Sequence, residues 1–187
     1  MIPIKLTSDL QKEEVVNHLL SLRREDLRLR FGYSPTDSII RKYVEDSWRK
    51  SRNQWFGVYS TEGCIATVHV AISDDKTAEL GCTVSQDYRQ QGIGNDLFLR
   101  AVTWARSYGV KRIFMHCLTE NKAIQKIANK NNMDVVIMSG GEAEAIVDIS
   151  ADPMAPYSDV MLDRIAIYDM MLLNQRKLFE TIFRIKQ

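Results

Sequence analysis

The sequence predicts an α/β chain of the α+β kind, with a mixed central sheet of about six to seven strands flanked by helices. Three observations carry this. Strand-like runs separated by short turns fill residues 54–84 and read as a meander. From 78 to 131 the order is strand, glycine loop, helix, strand, helix, which implies a parallel pair of strands. Helical spacing of apolar residues dominates both ends of the chain.

The bulk properties fit one globular domain. The chain has 187 residues, 45% hydrophobic and 26% charged, with a net charge of +1. That balance argues against a nucleic-acid tail or a membrane-directed field. No apolar run approaches the roughly 20 residues a spanning helix needs. The start, Met1-Ile2-Pro3-Ile4-Lys5, lacks the apolar region of a signal peptide, so the expected compartment is the cytoplasm. The 3 cysteines, Cys64, Cys82 and Cys117, each lie in an apolar strand-like run, which points to buried thiols and not disulfides. His18, His69 and His116 form no close cluster with Cys or Asp, so no metal site is expected.

In order, Ile2–Leu6 reads as a first strand. Thr7 and Ser8 can cap a helix carrying Leu10, Val15, Val16, Leu19, Leu20 and Leu22 at helical spacing. The charged run 21–32 reads as a solvated helix face. Ser34-Pro35 supplies a cap and a first-turn proline for a helix over about Asp37–Arg52, with Ile39, Ile40, Tyr43, Val44 and Trp48 on one face. Gln54–Ser60, Cys64–Ile72 and Ala78–Val84 are the meander strands. A helix from Asn95 to Tyr108 buries Leu97, Phe98, Ala101, Val102 and Ala105, with Gly109 as its stop. Arg112–Leu118 is a strand, and a helix opens after Thr119-Glu120-Asn121 with Ile124, Ile127 and Ala128 inward. Asp134–Ser139 and Glu142–Ile149 are joined by Gly140-Gly141, a hairpin signal. Ser158–Ile185 is a long helix whose apolar residues, among them Met161, Ile165, Tyr168, Leu172, Phe179 and Phe183, cover more than one face. The division expected is a domain over 1–150 and a helical extension over 151–187. The surplus of apolar surface on the extension predicts a homodimer contact.

The chemistry concentrates in Val84-Ser85-Gln86-Asp87-Tyr88-Arg89-Gln90-Gln91-Gly92-Ile93-Gly94. A strand ending in a glycine turn that opens a helix offers unpaired N–H groups and the positive end of a helix dipole to an anion. Side chains at either glycine would hold a diphosphate away from the backbone. A dinucleotide fingerprint fails, because its third glycine would fall at Leu97 and no acidic residue ends the next strand.

Arg89-x-x-Gly92-x-Gly94 after a short strand resembles the pyrophosphate loop of the GNAT N-acetyltransferase superfamily. The element order over about 2–150, with Asn121-Lys122-Ala123 after the next strand, is similar to that fold, and the helical tail occurs in bacterial-type members. The run 21–32 resembles their acceptor-groove wall. The resemblance implies acetyl-CoA as co-substrate and no metal. It implies that backbone amides of Gln90, Gln91, Gly92, Ile93, Gly94 and Asn95, with Arg89, hold the diphosphate. Main chain at Cys82, Thr83 and Val84 would pair with the pantetheine arm, an N–H near Val84 would polarise the thioester, and Asn121 would bind near its reactive end.

The reaction this implies is transfer of acetyl from acetyl-CoA to a primary amine by direct attack in a ternary complex. The acceptor is a small molecule, a protein lysine or an N-terminus; neither nucleic acid nor membrane is an expected partner. The other reading is a non-catalytic acyl-CoA-binding module, because the family's thiolate-protonating Tyr aligns with Ala128. Candidates for the general base are His116, on the strand before Asn121, and Glu79, on the strand entering the loop. His69 reads as structural.

Overall fold

The computed structural model describes residues 1–184; Ile185, the expected end of the last helix, lies outside the described residues. Seven strands form one sheet. They are β1 (Ile4–Leu6), β2 (Asn53–Ser60), β3 (Gly63–Ile72), β4 (Thr77–Val84), β5 (Arg112–Leu118), β6 (Asp134–Ile137) and β7 (Glu142–Asp148), in the order β1-β2-β3-β4-β5-β7-β6. All neighbours are antiparallel except β4 and β5. The α+β expectation and the strand count therefore hold. The hairpin at Gly140-Gly141 forms as expected, with β7 inserted between β5 and β6.

One face of the sheet carries α4 (Ile93–Ser107) and α5 (Lys122–Lys130); the other carries α1 (Asp9–Ser21), α2 (Arg24–Phe31) and α3 (Asp37–Trp48). Period-two alternation sorts the strand residues between two cores. Phe56, Val68, Val70, Leu80 and Ile113 pack with Leu97, Ala101 and Trp104 on the α4 side. Trp55 packs with Val15, Leu19, Leu27, Ile40 and Val44 on the other side.

Three local expectations need correction. The N-terminal part holds three helices and not two: the charged run 21–32 is α2, which ends at Gly32 in the left-handed conformation (φ 78°). Only Leu27 of α2 is fully buried, so its apolar signal is too thin for a periodicity argument. The cap of α3 is Thr36 and not Ser34, and Ile39 faces solvent. The helix after the loop starts at Ile93, with Gly92 as its cap, and it also buries Arg100 and Trp104. The α1 cap is as read: Ser8 and Gln11 form a reciprocal capping box, worth about 1 kcal/mol.

The tail is α6 (Ala155–Arg184), roughly 45 Å of helix. Its first half is tied to the domain. Arg100 of α4, 2% exposed, pairs with Asp159 and Asp163 of α6, and Lys5 of β1 reaches the same two carboxylates at 3.5 and 3.6 Å. Ala155 and Ala166 are buried there.

Candidate functional site

The loop and two strand ends build the site. β4 and β5 pair over only three positions, Thr77–Glu79 against Arg112–Phe114. Beyond them the strands diverge, leaving the β5 side of Leu80–Val84 without a strand partner. The N–H of Ser85 donates to Ile65 O on β3 at 2.9 Å. Strand alternation therefore turns the N–H and C=O of Val84 toward the open gap. The Val84 carbonyl accepts from Arg89 Nε at 3.0 Å, and among the described residues its N–H, turned to the gap, is left to donate there.

The gap opens into a cavity of about 570 Å³. Cys82, Thr83, Val84, Arg89, Gln90, Gly92, Ile93, Gly94, Asn95 and Asn121 all line it. Of the expected cofactor residues only Gln91 lies outside; its side-chain amide turns back to Asp87 O. The N–H groups of Gln90 to Gly94 have no partner among the described residues. Asn95 N–H differs from the expectation: it donates to Gly92 O at 2.9 Å, as the helix has already begun. Gln90 (φ 62°) and Gly92 (φ 85°) both adopt the left-handed conformation, which turns successive amides into one concavity.

The two glycines have different reasons. A Cβ at Gly92 would meet nothing within 4 Å, so its requirement is conformational. A Cβ at Gly94 would press Ile127 Cδ1 at 3.1 Å, so its requirement is the close approach of α5.

Asn121 caps α5 by accepting from Ile124 N at 3.2 Å and donates to Leu29 O at 3.3 Å. Both ends of its amide are thus engaged within the protein, and it fixes α2 against α5 at the cavity wall. Arg89 is likewise committed: besides Val84 O it pairs with Asp26 of α2 at 2.9 Å. Asp26 is held below the usual carboxylate range; its burial opposes this, and hydrogen bonds from Arg23 and Arg89 outweigh it. Positive charge facing the cavity comes instead from Lys122, Lys126 and Lys130, one stripe at four-residue spacing on α5. That spacing was visible in the sequence.

A second cavity, about 760 Å³, lies on the α2–α3 side of the split and shares Leu29 and Arg30 with the first. Glu79 and His116 both line it, with Asp46, Lys50, His69 and Glu142. Glu79 belongs to the last paired position of β4 with β5, opposite Phe114. His116 stands two residues further along β5, more than half exposed, 3.4 Å from Glu144.

Arg30 lies in the run 21–32 expected to wall the acceptor groove, but the sequence did not single it out. A Cβ at Gly81 would fall on its guanidinium, so glycine in mid-strand is what lets the arginine lie on β4. That isolated glycine was the available signal. Arg30 Nη2 donates to Tyr43 Oη at 2.9 Å, and Tyr43 Oη lies 2.7 Å from His69 Nδ1. The guanidinium can only donate, so the phenol oxygen accepts from it and keeps its own proton available to Nδ1; the other ring nitrogen is Nε2. That Nε2 is buried and has no partner among the described residues.

Burial first, then the charges of Arg30 and Lys50, push the His69 pKa down to about 3. Burial likewise pushes His18 down to about 4; its ring contacts Thr83 Oγ1 at 2.9 Å and Ser85 Oγ at 3.3 Å, fixing β4 on both sides of Val84. Burial pushes the thiols of Cys64 and Cys82 up to about 12, which makes them poor nucleophiles. Both histidines have folded pKa values below the unfolded 6.5, so the unfolded chain binds more protons between pH 6.5 and about 4. Stability is therefore constant with respect to these groups above pH 7 and falls as pH drops through that window. The slope approaches about 1.4 kcal/mol per pH unit per histidine. Urea unfolding at pH 7.5 and pH 5 reads this directly, and His69→Gln is expected to flatten the dependence by one proton.

Ala128, at the position of the missing phenol, is fully buried in the α4-side core. Tyr88 lines the first cavity, but its hydroxyl goes to Ser60 and Glu62. Among the described residues no group of three or more His, Cys, Asp or Glu is placed to hold a metal.

Comparison with known proteins gives one family. The model of the acetyltransferase (GNAT) family matches residues 17–132. Acetyltransferase Pat of Mycolicibacterium smegmatis is 31% identical over 88 residues, which is 47% of this chain and 26% of that protein. The chain thus matches about a quarter of that relative's length. Among solved structures, the GNAT domain of S. lividans PAT superposes with a TM-score of 0.68 at 18% identity, over 79% of this chain and 88% of that one. RimL, a ribosomal alpha-N-protein acetyltransferase in complex with coenzyme A, gives 0.62 at 16% identity, over 80% and 94%. PaiA N-acetyltransferase from Thermoplasma acidophilum, also with coenzyme A, gives 0.58 at 15%, over 80% and 100%. With the family model covering most of the chain and the seven-stranded sheet matching these folds, the chain belongs to the GNAT acetyltransferase family.

Proposed function

We propose that the protein transfers the acetyl group of acetyl-CoA to a primary amine, by direct attack in a ternary complex. The observation that carries this is that two cavities adjoin at a shared wall, Leu29 and Arg30, beside the split between β4 and β5. The free amides of Gln90–Gly94 hold the diphosphate, and Lys122, Lys126 and Lys130 add charge beside it. The pantetheine arm lies along the open edge of β4, and the Val84 N–H donates to the thioester oxygen. One such fixed donor contributes about 3–4 kcal/mol as charge gathers there.

The amine enters the second cavity as an ammonium ion and must lose a proton. Glu79 is the proposed base, because it stands where β4 and β5 part, two residues from Gly81. His116, held by Glu144, is the second proton-handling group, on the facing strand. The C–N bond forms, the C–S bond breaks, and CoA leaves as a thiol with one of the amine's protons. The thiol's acidity makes a dedicated phenol at Ala128 dispensable.

The test is CoA release with acetyl-CoA across amine classes. Glu79→Gln is expected to lower kcat about 10²–10⁴-fold and to remove the acidic limb of the pH–rate profile, with acetyl-CoA affinity retained. The absence of a phenol at Ala128 favours a second reading, a non-catalytic acyl-CoA-binding module, which predicts tight CoA binding and no turnover with any amine.

Two further parts of the reading concern context. We propose a homodimer through α6, on the strength of its exposed Met161, Ile165, Tyr168, Leu172, Phe179 and Phe183. Tyr168→Glu with Leu172→Glu is expected to yield a monomer by light scattering; an unchanged mass would remove α6 from the contact. The 3 free thiols support a reducing compartment, and we place the protein in the cytoplasm.

A further inference from the structure

We propose that the acceptor is a small amine that carries a carboxylate, a free amino acid or a close analogue, and that Arg30 binds that carboxylate. The inference rests on the acetyltransferase reading and names the substrate class of that same site.

Arg30 lines both cavities, so its guanidinium stands where acceptor and thioester must meet. It is held there by packing. It lies on the bare backbone of Gly81, and its Cζ sits 4.9 Å from the Phe31 ring centroid and 5.8 Å from that of Tyr43. Its neighbours are neutralised: Arg28 pairs with Glu25 and Glu120, and Arg89 across the cavity pairs with Asp26. Arg30 pairs with no carboxylate among the described residues, and one N–H goes to the neutral Tyr43 hydroxyl. A planar fork with donors to spare, half-buried and fixed in place, matches a carboxylate.

His69 also lines the acceptor cavity, joined to Arg30 through the Tyr43 hydroxyl. Lys50 adds a second cation to the same wall, while Asp46, Glu79 and Glu142 offer the opposite charge. A cavity with both signs fits a zwitterion. A polyamine or a lysine in a basic peptide would pair with those carboxylates and leave Arg30 and Lys50 without an anion. With the carboxylate on Arg30, the amine of an amino acid is one carbon away and lies at the split, within reach of the thioester carbonyl and of Glu79.

The reaction balances without a further reactant. The ammonium gives up one proton to solvent through the base. The amine nitrogen bonds to the carbonyl carbon, the C–S bond breaks, and the sulfur takes the second proton.

The experiment measures kcat/KM with acetyl-CoA for free amino acids and for the corresponding amino-acid amides, using phenylalanine and arginine. The amides have the more acidic ammonium group, so amine reactivity alone favours them at pH 7. The wild-type protein is expected to prefer the free acids by about 10-fold or more. Arg30→Gln is expected to abolish that preference, mostly through KM, and Lys50→Gln to reduce it. The ratio of acid to amide cancels any change in acetyl-CoA binding. Equal or better use of the amides by the wild type, or an unchanged ratio in Arg30→Gln, overturns the inference and leaves the acetyltransferase reading intact. A wild-type preference for succinyl-CoA that Arg30→Gln removes, with no acceptor preference, assigns the guanidinium to the acyl group and also overturns it. Failure to bind acetyl-CoA, or no CoA release with any amine, overturns both.

Discussion

Gly92→Glu is expected to abolish acetyl-CoA binding while leaving the protein folded. Gly92 caps α4 with φ 85°, and the direction of its missing Cβ is open for 4 Å. A side chain there costs about 1–2 kcal/mol for the left-handed backbone and meets no steric conflict. The added carboxylate at the helix N-terminus returns a few tenths of that through the dipole. Toward a diphosphate the same carboxylate is a competitor and a like charge. At about 4 Å and an effective dielectric near 20, one such pair costs on the order of 4 kcal/mol. Calorimetric titration is expected to show a loss in affinity of at least about 100-fold, with a melting temperature only a few degrees lower. Wild-type affinity in a folded Gly92→Glu protein would remove the loop as the cofactor site. Gly94→Ala is a useful contrast. Its Cβ presses Ile127, so the cost appears as a shift of α5 and in stability before it appears in binding.

Arg100→Ala is expected to be the most destabilising single change outside the hydrophobic cores, by about 3–5 kcal/mol. The guanidinium is 2% exposed, packs over Phe56 at 4.5 Å and joins Asp159 and Asp163 of α6. Removing it leaves two carboxylates on the helix interface with only Lys5, at 3.5 and 3.6 Å, to answer them. The measurement is urea unfolding, with limited proteolysis of α6 alongside. Cleavage near Met161 should accelerate as the helix undocks. Arg100→Met keeps the packing over Phe56, and with Asp159→Asn and Asp163→Asn it should recover much of the loss, since an apolar contact needs no desolvated charge. A loss below about 1 kcal/mol for Arg100→Ala, the range of an exposed pair, would mean that the ion cluster does not hold α6.

Much of the cofactor side was legible. The strand into Val84, the Arg-x-x-Gly-x-Gly loop and the helix after it are contiguous in sequence, and local backbone physics reads contiguous signals well. The acceptor side was less so, because its residues come from α2, α3, β3, β4 and β5, which no spacing rule connects. Glu79 and His116 were picked as separate candidates; only the register of β4 with β5 sets them on either side of one opening. Only the structure shows what else Arg89 and Asn121 hold: Arg89 bonds Val84 O and Asp26, and Asn121 bonds the α5 cap and Leu29 O.

The sequence by itself determined the seven strands, the glycine loop and the helical tail, because alternation, helical spacing and turn chemistry are local. The resemblance carried by its motifs further implies that the family's phenol is replaced by Ala128, which has nothing to ionise. Tertiary structure alone decided that Gly81 makes room for Arg30, that Tyr43 orients His69, and that Arg100 anchors α6. Each depends on two chain segments meeting at van der Waals distance, and that distance is set by the packing of the whole sheet between its helices.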